Sequence, residues 1–376
     1  MKTVMKPNNP FLVTGYVSPE FFCNRESETG KLLNAIKNGR NLTITSIRRM
    51  GKTDLIKHVF YKLRNDKNFT AIYVDLQPTT TSTDCVRKIG QALFRSMGSS
   101  RSRWFNRLIR QLSGLRPKIS FDTLTGQPSV QLDIVNEEVP FSMEKIFEFI
   151  SRYEKRVVLA FDEFQQIIRY PEKNIQAILR SHIQGISNLS CIFSGSHRNM
   201  LASMFENYSQ PFYQSADMIY LDKINPGKYK NFISGKFKTC NSELTSETSD
   251  LILGKTRNHT YYVQYFCNQL YSSGYPLIDH EVAESVWNNI IKERDGIYYN
   301  YRNLFTNLQF NLLKARATEG SVIEPMSKDF IHRYGLPTPS SIKSALDTLL
   351  DREFIHYDKD SYFVTDVFLS DWLKNL

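Results

Sequence analysis

Gly51, Lys52 and Thr53, in the stretch SIRRMGKTDLI, carry the groups that a bound phosphate requires. Consecutive backbone N–H groups at a helix N-terminus converge on its oxygens. The ammonium adds a mobile positive charge, and the hydroxyl after it ligates a divalent cation. Farther along, VVLAFDEFQ closes an apolar run with Asp162 and Glu163. Two carboxylates at the tip of a buried strand are costly unless something cationic is near. Mg²⁺ with a nucleotide satisfies Asp162, and Glu163 then polarises an attacking water. The run CIFSGS ends in Ser194 and Ser196, which suit either a terminal phosphate or a plain turn. The flaw is Ser46, where such a loop normally opens with glycine. Serine is tolerated there only if φ stays negative.

These residues need a scaffold, and the sequence supplies one. NLTITSI (41–47) is a β-rich run leading into the loop, and DLIKHVFYKLRND places Leu55, Ile56, Val59, Phe60 and Leu63 on one helical face. TAIYVDLQ (70–77) reads as a strand and DCVRKIGQALFRSM (84–97) as a helix. PKISFDTLTGQPSVQLDIV (117–135) alternates around Thr125-Gly126-Gln127-Pro128 and predicts an inserted hairpin. SMEKIFEFISRYEK is a helix, RVVLAFDEF (156–164) a fully buried strand and LSCIFSGS (189–196) another. The alternation implies an α/β fold with a mostly parallel, doubly wound sheet. From about Tyr229 to Asp295 the pattern is helical, and a further unit follows.

Composition narrows the class. The 376 residues predict two or three domains, with 41% hydrophobic residues for their cores. An apolar run long enough to span a membrane is absent. The N-terminal stretch has prolines and asparagines where a signal peptide needs an apolar core. Cys23, Cys85, Cys191, Cys240 and Cys267 are scattered without metal-ligand spacing, so reduced thiols and a cytoplasmic location are expected. The net charge of +10 is uneven. Residues 1–150 hold 23 Lys+Arg against 13 Asp+Glu, and Val86–Lys118 has basic residues with no acidic one. That segment is either an attractor for an anionic partner or a solvated helix pair balanced elsewhere.

The segments FFCNRESE (21–28), SIRRMGKTDLI, LAFDEFQ, FSGSHRNM, PFYQSADMIYLDKI and NHTYYVQYFCNQL occur in this order. Together they resemble the archaeal-type ATPase family of the AAA+ and STAND superclass, P-loop ATPases paired with a C-terminal winged helix. The resemblance spans essentially the whole chain. It implies a P-loop NTPase parallel sheet over residues 1–225, a helical lid over 226–297 and a winged helix-turn-helix over 298–376. It also implies binding of ATP with Mg²⁺, and slow turnover in a nucleotide-driven switch. By position, Arg25 falls in the segment near the adenine, with Asn24 where glycine is usual, and Arg48, Arg49, Met50 and Asp54 belong to the loop variant. Lys52 and Thr53 match the phosphate and magnesium residues, Asp162 and Glu163 the metal and catalytic acids, and Ser196 the first sensor. Two departures stand out. Gln214 and Ser215 replace the arginine that relatives often carry after PFY, leaving Arg198 and Arg257 as candidates in cis. The lid reads Asn258-His259-Thr260, so His259 serves either a phosphate or a helix cap.

The C-terminal unit reads as helix, helix, helix and wing: NLQFNLLKARATEG, SKDFIHRYGL, TPSSIKSALDTLLDREFI and IHYDKDSYFVTD. This fold often meets DNA, yet residues 296–376 carry 9 Lys+Arg against 10 Asp+Glu. Phosphate-backbone affinity rests on cations. Contacts within the chain, with a protein partner or with a second copy are therefore expected of it, while nucleic acid remains an alternative through residues 86–118.

Overall fold

The computed structural model describes residues 7–96, 139–239, 242–322, 324–358 and 360–376, and the backbone of 117–121 and 128–132. The chain divides into two compact units: Gly15–Lys223, and Met1–Thr14 together with Ile224–Leu376.

The first unit is built on a five-stranded sheet of β1 (Leu42–Thr45), β2 (Phe69–Asp75), β5 (Arg156–Asp162), β6 (Leu189–Gly195) and β7 (Asp217–Tyr220). The order is β2-β5-β6-β1-β7, and every pairing is parallel. Parallel strands need crossover helices, which cover both faces and so demand near-continuous apolar strands. All seven residues of β6 are buried, as are six of the seven in β5. One face carries Ile44, Val158, Ala160 and Ile192 against α1 (Glu26–Lys37) and α2 (Lys52–Leu63). The other carries Ile72, Leu159, Phe161 and Phe193 against α3 (Ser82–Ser96), α4 (Val139–Ser151), α5 (Ile175–Gln184) and α6 (Arg198–Glu206). Strand periodicity thus puts Asp162 and Ser194 on the α2 side, in step with Ala160 and Ile192. The edge strand β7 is new relative to the sequence reading. It is four residues long and buries Ile219 alone, too little for a hydrophobic run.

Strands β3 (Pro117–Phe121) and β4 (Pro128–Leu132) pair antiparallel, as the alternation predicts. The turn residues 122–127 and most of the basic segment 86–118, from 97 to 116, lie outside the described residues.

The second unit begins with its N-terminal residues. Asn9 donates to the Asn268 carbonyl (3.0 Å), Asn268 donates to the Phe11 carbonyl (2.7 Å), and the Phe11 ring lies 4.9 Å from Phe237. Its helices are α7 (Pro226–Lys238), α8 (Ser246–Lys255), α9 (Thr260–Ser272), α10 (His280–Glu293) and α11 (Asp295–Tyr301). A short parallel pair, β8 (Glu243–Leu244) with β9 (Leu277–Ile278), lies among them. Then come α12 (Asn307–Glu319), α13 (Lys328–Arg333), α14 (Pro339–Asp351) and the antiparallel wing of β10 (Ile355–Asp358) and β11 (Ser361–Val364). Thr306 and Gln309 form a reciprocal capping box on α12, and Ser327 caps α13. The sequence reading stops at the wing, but a further helix, α15 (Val367–Lys374), follows it. Trp372 Nε1 donates to Asp295 (2.6 Å) and Trp287 Nε1 to Asp371 (2.7 Å), which ties α15 to α11 and α10. Arg316 on α12 is fully buried over the Tyr362 and Phe330 rings, with its charge centre 5.2 and 6.0 Å from their centroids. Among the described residues, Cys23, Cys85, Cys191 and Cys267 are buried free thiols, and no helix is long and apolar enough to cross a membrane.

Candidate functional site

The loop from β1 into α2 resolves the question of Ser46. Ser46 is buried, keeps a negative φ, and donates its hydroxyl to the Ile47 carbonyl (2.8 Å). Glycine's freedom is therefore not needed there. The positive φ values fall at Arg49 (65°) and at Gly51 (91°), which opens α2. Lys52 is 5% exposed, and its ammonium donates to Ser46 Oγ at 3.1 Å and to the Ser46 and Ile47 carbonyls at 3.5 Å. Arg48 and Arg49 are exposed. Met50 has its side chain buried in the core with Ile47 and Leu55, so its backbone is the part left to face a ligand. Its role is to anchor the loop by apolar burial.

Asp162, at the tip of β5, is 4% exposed and accepts four hydrogen bonds. Thr53 Oγ1 and Tyr73 OH both reach Oδ2 at 2.6 Å. Ser194 Oγ (2.5 Å) and the Glu163 N–H (3.1 Å) reach Oδ1. Burial pushes the Tyr73 hydroxyl's pKa well up, and the adjacent Asp162 charge adds to it. Burial also raises Asp54, on the first turn of α2; Lys57 opposes the rise and Asp162 reinforces it.

Glu163 leaves the strand in a left-handed conformation (φ 52°) that opens a short 3-10 turn, Phe164–Arg169. Its Oε2 accepts from Gln165 Nε2 (2.5 Å), from Ser196 Oγ (3.0 Å) and from the Ser196 N–H (3.4 Å). The two serines that the sequence left equivalent are thereby separated: Ser194 serves Asp162 and Ser196 serves Glu163. Arg25 is 4% exposed, left-handed at φ 74°, and paired with Glu28 at 3.0 Å.

Gly51, Lys52, Thr53, Asp54, Asp162, Glu163 and Ser196 all lie in the first unit, with Lys52 on Ser46, Thr53 on Asp162 and Ser196 on Glu163. His259 belongs to the second unit, where it is the N-cap of α9, buried, with its ring 4.9 Å from Tyr262. Arg257 is committed within that unit, donating to the Val364 carbonyl (3.0 Å) and Ser370 Oγ (2.6 Å). Tyr73 and Gln165 escaped the sequence reading. Tyr73 sits on β2 as a phenol beside Ile72 and Val74, and Gln165 follows the two carboxylates with no spacing of its own to mark it. Among the described residues no three His, Cys, Asp or Glu form a metal cluster. The Thr53 hydroxyl and Asp162 carboxylate are a sparse, hard oxygen pair, which suits Mg²⁺ bound mainly through substrate and water.

The family model for an ATPase domain predominantly from Archaea matches residues 22–263, and a winged helix domain model matches 296–375. No curated protein matches the chain. Among solved structures, the Walker-type ATPase of Pyrococcus abyssi superposes with a TM-score of 0.66 at 17% identity, covering 97% of this chain and 99% of its own. The Aeropyrum pernix ORC2 protein, in ADPNP and ADP complexes, gives 0.56 at 12% identity over 97% of this chain and 96% of its own. The Aeropyrum pernix ORC1 protein, in complex with DNA, gives 0.54 at 12% identity over 98% of this chain and 96% of its own.

Proposed function

We propose, since the chain belongs to the ATPase family found predominantly in Archaea, that it binds Mg²⁺ and ATP, hydrolyses ATP slowly and works as a nucleotide-dependent switch. The observation that carries this reading is the 2.6 Å bond from Thr53 Oγ1 to Asp162 Oδ2. It joins the end of the loop to the tip of the buried strand, and both oxygens are of the type a magnesium ion takes. Lys52 and the backbone N–H groups at the start of α2 hold the phosphates. Thr53 and Asp162 would hold the ion, which when bound would neutralise charge on the phosphate oxygens. Glu163 orients the attacking water and receives its proton. Ser196, already bonded to Glu163, couples that carboxylate to the state of the site. Arg25, Arg48, Arg49 and Asp54 border the nucleotide, and Met50 does so through its backbone.

Slow turnover is the reading because no arginine follows PFY. Gln214 and Ser215 offer no cation, and of the two candidates in cis Arg257 is occupied by Val364 and Ser370, which leaves Arg198, at the start of α6, as the one to test. An arginine finger is worth roughly 10³–10⁵ in rate. The lid, 226–297, and the winged helix, 298–376, then read the nucleotide state for a protein partner or a second copy of the chain. Phosphate release by the wild type, abolished in Glu163→Gln, tests the ATPase. Nucleotide-dependent protease protection between residues 225 and 300, absent in Lys52→Ala, tests the switch. Identical digestion with ADP, ATP analogue and no nucleotide would rule the switch out.

One observation favours a nucleic-acid role instead: the segment Val86–Lys118 has basic residues and no acidic one. Salt-sensitive retention of duplex DNA, lost on neutralising Arg101, Arg103, Arg107 and Arg110, would establish it.

A further inference from the structure

Gln165 is a costly residue in its position. It is 4% exposed, and its Oε1 is buried without a hydrogen-bond partner among the described residues. An orphaned buried carbonyl is destabilising, and a leucine would fill the space without one. What the glutamine provides is its other end, the Nε2 that donates to Glu163 Oε2 at 2.5 Å. The orientation of the amide follows from chemistry, because its oxygen turned towards a carboxylate would repel it.

The glycine at the tip of β6 belongs to the same arrangement. Gly195 has no positive φ, so its backbone does not call for glycine. A Cβ there would lie 2.0 Å from Gln165 Oε1, 3.1 Å from its Cδ and 3.0 Å from Leu201 Cδ1. The missing side chain is the clearance through which Gln165 crosses the strand tip to reach Glu163. Three donors, from Gln165 and Ser196, then gather on the single oxygen Oε2. The carboxylate is pinned by one oxygen, and Oε1 is left as the proton acceptor.

We propose that Gln165 is a positioning residue for Glu163, and that Gly195 is glycine in order to admit it. This rests on the ATPase reading above, in which Glu163 receives the proton of the attacking water. Misplacing a catalytic group by a fraction of its length lowers turnover without touching nucleotide binding.

The test is a double-mutant cycle on the full chain: wild type, Glu163→Gln, Gln165→Ala, Gly195→Ala and the double variant Gln165→Ala/Gly195→Ala. Steady-state phosphate release, Mg-ADP calorimetry and thermal unfolding are read on each. The expected result for Gln165→Ala is a kcat lowered on the order of 10- to 100-fold, with KM and ADP affinity within about twofold. Gly195→Ala lowers kcat to the same degree by displacing the glutamine, and also unfolds at a lower temperature. The double variant is no slower than the worse single one and regains the stability of Gln165→Ala, because the obstructing amide is gone. Should Gly195→Ala fail to fold, Gln165→Ala and the double variant still decide the matter. An unchanged kcat in Gln165→Ala, or losses that multiply in the double variant, overturns the proposal and leaves the ATPase standing. A wild type without turnover overturns both.

Discussion

Removing the Tyr73 hydroxyl isolates one bond of the Asp162 cluster with little change in volume. In Tyr73→Phe the carboxylate keeps Thr53, Ser194 and the Glu163 N–H, so it is not stranded. A hydrogen bond to a charged group contributes about 1.5–3 kcal/mol. Tyr73 is only partly buried and three donors remain, so the low end applies, about 1.5–2 kcal/mol. For a unit of roughly 200 residues that lowers the melting temperature by about 3–8 °C. The natural control is Thr70→Val, which removes a neutral hydroxyl bond to Tyr153 OH at 3.3 Å and costs about 1 kcal/mol or less. Binding should move the opposite way. Thr53 and Tyr73 occupy both lone pairs of Oδ2, so a cation reaching that oxygen displaces one of them. Stability lost only in the metal-free protein reappears as affinity, and Mg-ADP should bind up to about tenfold more tightly to Tyr73→Phe. Thermal unfolding with and without Mg²⁺, and Mg-ADP calorimetry, measure the two halves. A Tyr73→Phe penalty no larger than that of Thr70→Val, or a fall in both stability and affinity, refutes the reasoning.

Ser46→Gly should leave Mg-ADP affinity within about twofold, because the serine's φ is already negative and the Lys52 ammonium retains carbonyl partners; calorimetry checks this. Asp54→Asn should raise the melting temperature of the metal-free protein at neutral pH. Burial lifts the folded-state pKa of Asp54 above its unfolded value, so the wild type loses stability as pH rises from about 4 through that folded pKa, and the asparagine variant does not; melting curves from pH 4 to 8 show the difference. Arg316→Met should stabilise the second unit by about 1–3 kcal/mol. Burial pulls this guanidinium down to about 10, which marks an ionised state the fold disfavours, and denaturant titration reads the gain.

Strong periodicity made most of the architecture legible. The runs VVLAFD and LSCIFSG could only be strands buried on both faces, and the capped helices of the winged helix announced their own starts. Strand β7 and helix α15 were missed for different reasons. The first buries one residue on a sheet edge, and the second hides its apolar positions behind the wing, where a chain reading expects an end. Within the candidate site, Lys52, Thr53, Asp162 and Glu163 stand out by residue type, and the fold brings Thr53 to Asp162. The assignment of Ser194 to one carboxylate and Ser196 to the other depends on side-chain direction at a strand tip, which spacing does not encode. Tyr73 was invisible because its partner Asp162 lies on the neighbouring strand, and Gln165 because the direction its side chain takes within the turn is not encoded in spacing. The burial of the Met50 side chain was equally hidden, since proximity in the loop says nothing about which way a side chain turns.

The unit that carries the five-stranded sheet is inserted into the other unit rather than strung before it. Asn9 and Phe11 are fastened to the body that resumes at Ile224, so the chain crosses between the halves twice. Removing Asn9 and Phe11 would therefore strip packing from the carboxyl-terminal body, far along the chain, while sparing the sheet.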